Sequence, residues 1–174
     1  MKYQNITHDD MLNGEGLRVV LWVSGCSHHC KNCQNPITWD YNDGKEFGED
    51  ELREIIRELD HDYISGITLS GGDPLNEHNF STILELVEFI RIRYENTKTI
   101  WIYTGFTIEQ ILDDKDDALN ALRRKIIKQC DVLVDGRFEQ DLADTKYEWA
   151  GSTNQRIIDI QKSINNGWKC IISM

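Results

Sequence analysis

The chain has 174 residues, of which 40 % are hydrophobic, and its 19 basic and 30 acidic residues give a net charge of −11. This length fits one compact domain with a substantial core. The charge argues against nucleic acid as the main partner, because such binding needs basic patches that release counterions. No apolar run approaches the roughly 20 residues of a membrane-spanning helix, and the N-terminus lacks the apolar stretch of a signal peptide. The composition predicts a cytoplasmic protein that binds neither nucleic acid nor a membrane.

Strands and helices alternate along most of the sequence. Short segments rich in β-branched and aromatic residues predict strands, and apolar residues at helical spacing predict helices. The predicted strands are Leu17–Val23, Gly66–Ser70, Thr99–Thr104 and Asp131–Asp135, with Trp168–Ile172 as a candidate last strand. The predicted helices are Glu49–Leu59, Asn79–Tyr94 and a third that begins after Thr107, is interrupted by the acidic run Asp113–Asp117 and resumes over Ala118–Gln129.

This alternation predicts an α/β fold with a mostly parallel sheet covered by helices. About four clear strands are too few to close a barrel, so we expect an incomplete (β/α) barrel with an open face. An open face suits a macromolecular substrate better than a small one that needs enclosure. Ligands in such folds bind at the carboxyl ends of the strands. The segments that follow these ends are Cys26–Cys33, Gly71–Pro74, Thr104–Gly105 and Asp135–Gly136.

Three of the five cysteines lie within eight residues. Cys26, Cys30 and Cys33 have the spacing Cys-x3-Cys-x2-Cys, and we call residues 26–33 the cysteine loop. An odd number of cysteines without an export signal argues against a disulfide framework. Zinc usually takes four protein ligands from two separated pairs, so this spacing favours an iron–sulfur cluster over zinc. Three cysteines on a four-iron cluster leave one iron free to bind a substrate or cofactor.

These motifs together resemble a known family. The spacing of the cysteines after the first strand resembles that of the radical S-adenosylmethionine enzymes, and Ser70–Pro74 resembles the glycine-rich loop that holds the methionine end of their cofactor. Further matching segments are Asn13–Arg18, Ser24–Cys26, Thr38–Trp39, Trp101–Gly105, Val132–Phe138 and Trp149–Arg156. The whole set resembles the activating proteins of anaerobic ribonucleoside-triphosphate reductases. We therefore expect a radical S-adenosylmethionine domain over residues 1–156, with the tail 157–174 as part of it.

The resemblance implies an enzyme with one 4Fe-4S cluster per chain, held by Cys26, Cys30 and Cys33. The amino and carboxylate groups of S-adenosylmethionine would chelate the fourth iron, and reductive cleavage of this cofactor would generate a glycyl radical on the reductase. The reductase is the expected protein partner, and flavodoxin or a similar protein the expected electron donor. Alternatives are the activation of another glycyl-radical enzyme, a radical enzyme with a small-molecule substrate, and a zinc or iron–sulfur binding module without activity.

The resemblance also implies six cofactor contacts, namely Asn32, Cys33, Gln34, Gly71, Gly72 and Asp73. Gly71 and Gly72 have no side chains, so their backbone can approach a ligand closely. Gly72 is the first candidate for the methionine group, and Gly72→Val is expected to leave the cluster intact while it abolishes cofactor cleavage. Asp73 either anchors the cofactor's ammonium group or forms an Asx turn. Asn32 and Gln34 are expected beside the adenine.

Each of the other polar and aromatic candidates has a structural interpretation as well as a functional one. His28 and His29 are predicted to lie on the loop surface, and Cys130 and Cys170 to be small buried side chains, although each could complete a zinc site. Turn, packing or partner contacts are the open interpretations for Asp135, Arg137, Asn154–Arg156, Trp39 and Trp149.

Overall fold

The computed structural model describes residues 1–113 and 117–168. Within these residues seven strands form one sheet. They are β1 (Lys2–Asp10), β2 (Leu17–Val23), β3 (Lys45–Glu46), β4 (Ile64–Gly71), β5 (Thr99–Tyr103), β6 (Val132–Asp135) and β7 (Arg156–Asp159). The helices are α1 (Glu49–Leu59), α2 (Phe80–Tyr94), α3 (Ile108–Leu112), α4 (Asp117–Ile127) and α5 (Ile160–Asn165), with short 3₁₀ helices at Pro36–Thr38 and Gln140–Leu142. No helix in this part of the chain is long and apolar enough to cross a membrane.

The sheet has the strand order β3-β1-β2-β4-β5-β6-β7. The four central strands β2, β4, β5 and β6 are parallel to one another. At one side β1 runs antiparallel to β2 and β3, and at the other β7 runs antiparallel to β6. The predicted α/β fold with a parallel central sheet is therefore confirmed. The sheet stays open, with β3 and β7 at its edges.

The antiparallel strands are the main difference from the sequence-based expectation. Only Tyr3 is buried in β1, whose other residues are half-buried or exposed, so this strand lacks the apolar density used to predict the others. β7 has four residues and follows a long polar segment. The candidate strand Trp168–Ile172 falls, apart from its first residue, outside the described residues, and so does Cys170.

Successive strand residues point to opposite faces of the sheet. The two faces are covered differently. All five helices contribute apolar side chains to one large core with alternate strand residues, for example Ile90 of α2 and Leu21 of β2, both fully buried. A smaller cluster on Trp101, Val132, Val134 and Ile157 lies apart from that core, and Trp149 packs against it. We call the side of the sheet with this cluster the face without helices, because among the described residues no helix contributes to the cluster.

Candidate metal centre

The cysteine loop begins three residues after the end of β2, and backbone hydrogen bonds hold its base. The N–H of Gly25 donates to the carbonyl of Thr38 (2.8 Å), and the N–H of Cys26 donates to the carbonyl of Trp39 (3.0 Å). The short 3₁₀ helix Pro36–Thr38 brings the chain back for these bonds. Gly25 has a φ of +98°, a conformation that favours glycine. The cysteines therefore lie on a loop closed at its base.

Cys26, Cys30 and Cys33 line one cavity at the carboxyl ends of the parallel strands, with an open volume of about 820 Å³. All three thiols are free and half-buried. The other strand ends contribute Ser70, Gly71, Gly72, Tyr103, Thr104, Gly105 and Gly136 to the same cavity. The fold thus brings together the loops that were expected at this edge of the sheet.

Backbone N–H groups lie beside two of the three sulfur atoms. Burial raises the pKa of the Cys26 thiol to about 11, while the backbone N–H groups of His28 and His29, which hydrogen-bond its sulfur, oppose this rise. The N–H of Asn35 donates to the sulfur of Cys33 at 3.4 Å. Such N–H groups stabilise a thiolate once a metal displaces the proton. The donor set fits a cluster held by thiolates.

Two orphaned polar atoms also fit a group bound in this cavity. Nδ1 of His28 and Nε1 of Trp39 are buried without a hydrogen-bond partner, and both side chains line the cavity. Within residues 1–113 and 117–168, no three His, Cys, Asp or Glu side chains are placed to hold a single metal ion. Cys130 is fully buried, as predicted, and it lies two residues before β6, near the amino ends of the parallel strands.

The glycine loop (residues 71–74) lies directly against the start of the cysteine loop. The N–H of Gly72 donates to Val23 and that of Asp73 to Gly25, both at 2.8 Å. The positive φ, +100°, belongs to Gly71. A Cβ on Gly72 would lie 2.6 Å from the carbonyl oxygen of Gly25 and 2.9 Å from that of Thr38. A side chain in Gly72→Val would therefore also meet the backbone at the base of the cysteine loop, a contact that the sequence does not indicate.

Asp73 is 1 % exposed, and protein groups surround its carboxylate. Oδ1 accepts from the N–H of Leu75 (2.8 Å), which is the Asx turn considered from sequence. The hydroxyl of Thr104 donates at 2.9 Å and the N–H of Gly105 at 3.1 Å. Nε2 of His28 lies 2.8 Å from Oδ2. Asp73 connects the ends of β4 and β5 with the cysteine loop, and its side chain does not line the cavity.

The two histidines of the loop have different environments. The prediction of a surface position is confirmed for His29, which is exposed and stacks on Trp39 with ring centroids 4.8 Å apart. It is wrong for His28, whose side chain is only 5 % exposed. The His28 ring packs edge-on against Phe106 at 4.6 Å. Its burial follows from the hydrogen bond to Asp73, a residue that sequence proximity does not indicate.

Some of the remaining candidates line the cavity, and others make structural contacts. Gln34 is exposed and lines the cavity, whereas Asn32 is exposed with a φ of +56° and lies outside the cavity lining. Asp135 is buried and accepts from Ile108 and Arg156, a structural role. Arg137 and Gln155 line the cavity, and Gln155 hydrogen-bonds the backbone of Gly136 and Gly151. Trp149 packs on Trp101 with ring centroids 5.1 Å apart.

Sequence reasoning did not select Trp22, Tyr103 or Phe138, which also line the cavity. Trp22 and Tyr103 are half-buried strand residues next to fully buried neighbours. The available signal was the period of two along each strand, which places these rings on the face without helices. Tyr103 donates its hydroxyl to the carbonyl of Trp149 at 2.7 Å, and burial raises its pKa.

Comparison with known sequences places the chain among the iron–sulfur proteins, in agreement with the three thiols of the cavity. Residues 12–158 match the family described as a 4Fe-4S single cluster domain. The chain is also similar to several curated proteins named anaerobic ribonucleoside-triphosphate reductase-activating protein. It is 39 % identical over 160 residues to that of Pasteurella multocida (strain Pm70), covering 90 % of this chain and 96 % of the relative.

Two further relatives carry the same name. Identity is 41 % over 157 residues with the protein of Escherichia coli (strain K12), covering 89 % of this chain and 96 % of the relative. It is 39 % over 157 residues with the protein of Enterobacteria phage T4, covering 90 % of this chain and 93 % of the relative. The chain belongs to the family of anaerobic ribonucleoside-triphosphate reductase-activating proteins.

Proposed function

We propose that this protein activates an anaerobic ribonucleoside-triphosphate reductase by generating a glycyl radical on it, through reductive cleavage of S-adenosylmethionine at a 4Fe-4S cluster. The protein would then be a radical S-adenosylmethionine oxidoreductase with its domain over residues 1–156 and the tail in the same domain. The names of the relatives support the target. The observation that supports the chemistry is the common cavity of Cys26, Cys30, Cys33, Gly71 and Gly72.

In this proposal the three thiolates each bind one iron, and the N–H groups around Cys26 and Cys33 stabilise their negative charge. Bound there, the cluster would supply the electron for reductive cleavage of S-adenosylmethionine, and the 5′-deoxyadenosyl group released would leave as 5′-deoxyadenosine with a hydrogen atom from a glycine of the reductase. The chain positions the reactants. A flavodoxin or similar protein is the proposed source of the electron.

The backbone of the cavity wall supplies the proposed cofactor contacts. Gly71 and Gly72 line the cavity, so their peptide groups are accessible to the methionine end of the cofactor. Cys33 lies beside them as a cluster ligand. Gln34 is on the cavity wall, and we assign it to the adenine. Asn32 is exposed on the same loop, and we assign it to the outer edge of the adenine site.

The outer part of the cavity favours a protein substrate over a small molecule. A second cavity shares Asn13, Trp22 and Gln34 with the first and continues to Met11 and Leu12. Met11 is 69 % exposed and Leu12 is 82 % exposed. Exposed apolar side chains beside a site are typical of protein–protein contacts, whereas a small substrate needs enclosure. We assign this groove to the segment of the reductase that carries the reacting glycine.

Anaerobic reconstitution with iron and sulfide tests the proposal. The reconstituted protein, mixed with S-adenosylmethionine, a reductant and a candidate reductase, should form 5′-deoxyadenosine and give the electron paramagnetic resonance signal of a glycyl radical on the reductase. One zinc ion without labile sulfide in protein purified without oxygen would refute the radical mechanism. Formation of 5′-deoxyadenosine without a radical on any reductase tested would favour the small-molecule alternative.

A further inference from the structure

His28 is a buried residue of the cysteine loop for which the proposed reaction assigns no role. Its ring is held on three sides: Nε2 lies 2.8 Å from Oδ2 of Asp73, Phe106 packs edge-on at 4.6 Å, and Gly105 lies against the ring. A Cβ on Gly105 would lie 2.3 Å from Cδ2 of His28, so only glycine leaves room for the imidazole here. The orientation of the ring is thus fixed by packing and by one hydrogen bond.

The partners of Asp73 assign the proton on this imidazole. The carboxylate accepts from the N–H of Leu75, the N–H of Gly105 and the hydroxyl of Thr104. It acts as an acceptor toward each of these groups, so Nε2 of His28 carries a proton and donates it to Oδ2. With Nε2 as the donor to Asp73, Nδ1 is the ring nitrogen left to accept a hydrogen bond. This nitrogen is buried without a partner, and His28 is one of the residues that line the cavity together with the cysteines, Gly71 and Gly72.

We propose that Nδ1 of His28 accepts a hydrogen bond from the amino group of the cofactor's methionine moiety, and that Asp73 is the positioning residue that orients the ring for this contact. The inference rests on the proposed function. A lone pair needs a donor, and at the methionine end of S-adenosylmethionine the amino group is the donor, because carboxylate, thiolate and sulfide are acceptors. Asp73 joins His28 to the glycine loop, which places His28 at that end of the cofactor.

This assignment replaces one of the two interpretations of Asp73. The carboxylate has protein donors on both oxygens and does not line the cavity, so it acts through His28. A carboxylate that fixes one ring nitrogen while the other faces a ligand is a common arrangement for orienting histidines. In metal sites the free nitrogen binds the metal, so ligation of the fourth iron by His28 is the competing arrangement that an experiment must separate from ours.

The test uses the anaerobically reconstituted protein without reductant, so that no cleavage occurs. His28→Phe removes both ring nitrogens and keeps an aromatic ring against Phe106. The control is His78→Phe, the same change at an exposed residue that stacks on Tyr41 outside this cavity. The measured quantities are iron and sulfide content, and the dissociation constants of S-adenosylmethionine and of its analogue with hydrogen in place of the amino group.

We expect His28→Phe to keep its iron and sulfide and to bind S-adenosylmethionine about tenfold more weakly, the scale of one hydrogen bond. It should bind the analogue as the unchanged protein does, and His78→Phe should bind both ligands normally. Equal weakening for both ligands would mean a structural role and overturn the proposal. After reduction without cofactor, an altered paramagnetic resonance spectrum of the cluster in His28→Phe would indicate iron ligation and overturn it as well.

Two further variants keep the inference testable if His28→Phe does not load a cluster. His28→Asn places a polar group near the position of Nδ1, and His28→Gln places one near that of Nε2. We expect S-adenosylmethionine to bind His28→Asn more tightly than His28→Gln, and the reverse order would overturn the role of Nδ1. If the unchanged, cluster-loaded protein binds no S-adenosylmethionine, the proposed function itself fails and this inference with it.

Discussion

The two faces of the sheet use buried side chains for different purposes. On the helix-covered face, residues such as Ile90 and Leu133 are fully buried among other apolar side chains. On the opposite face Arg18 is fully buried as well, but it donates five hydrogen bonds to carbonyl and hydroxyl oxygens, among them those of Thr68 and Thr99. The first face stabilises the fold by burial of apolar surface. The second fixes polar groups in defined orientations beside a cavity.

Arg18 shows how the second face tolerates a buried charge. Burial lowers its pKa to about 10, so the guanidinium remains protonated at neutral pH. Its charge lies 5.4 Å from the ring centre of Trp101, a cation–π contact. Neutral acceptors satisfy its N–H groups, which avoids an unpartnered buried donor. Chemistry and stability are thus separated by face, and they meet at the carboxyl ends of the strands.

The largest effect is expected when a thiol that lines the cavity is removed, in comparison with a thiol of the core. Cys26→Ala, Cys30→Ala and Cys33→Ala each remove a thiolate ligand, and we expect loss of the cluster and of cofactor cleavage. Cys130→Ala leaves a small cavity in the core, for which we expect about 1 kcal/mol less stability and a normal cluster. Iron and sulfide analysis with urea unfolding measures both effects. A Cys130→Ala protein that folds but lacks a cluster would contradict the three-cysteine assignment.

A substitution on the helix-covered face should lower the stability of the protein and leave its cluster content unchanged. Ile90 of α2 is fully buried in the large core, so Ile90→Ala removes apolar contacts and leaves a cavity. We expect the free energy of unfolding to fall by about 2–5 kcal/mol, while iron and sulfide per folded molecule remain unchanged. Urea unfolding and metal analysis at low temperature test this. A matched loss of cluster in the folded protein would show that the faces are energetically coupled.

The contact between the glycine loop and the cysteine loop tests the region where the faces meet. In Gly72→Ala the new Cβ would come within 2.6 Å of the Gly25 carbonyl, so the backbone must shift. We expect a loss of about 1–3 kcal/mol together with reduced cluster content. Gly48→Ala is the control, because a Cβ there comes no closer than 3.6 Å to a side-chain oxygen of Glu51. Full cluster content in stable Gly72→Ala protein would contradict the described contact.

The central fold was predictable from sequence because its signals are local. β2 and α1 have the predicted bounds Leu17–Val23 and Glu49–Leu59, since apolar density and helical spacing are read within one segment. The burial of His28 was not predictable, because it depends on a carboxylate 45 positions away. The direction of a side chain at Gly72 likewise depends on carbonyl groups of other segments. β1 was not predicted, because its many polar residues lack the apolar pattern used to predict strands. Its strand conformation depends on hydrogen bonds with β2.

The smallest expected effect concerns an ion pair at the β7 side of the sheet. Arg156 binds both carboxylate oxygens of Glu109, at 2.7 and 2.8 Å, and also hydrogen-bonds Asp135. These hydrogen bonds to Arg156 lower the pKa of Glu109 to about 2, against an ordinary value of 4.5. Because the folded pKa is below the unfolded one, this stabilisation is present above pH 4.5 and is lost as the pH falls toward 2.

Glu109→Gln measures this contribution. The carboxylate is 62 % exposed, so solvent screening limits the loss at pH 7 to about 1 kcal/mol or less. The difference from the unchanged protein should shrink as the pH is lowered through the interval between the two pKa values. Urea unfolding at neutral and acidic pH gives the loss of stability at pH 7 and its change with pH. Glu77→Gln, at an exposed position, serves as the control for a lost surface charge. A Glu109→Gln deficit that is the same at every pH would mean that the amide disturbs packing, and the ionic origin of the stabilisation would be wrong.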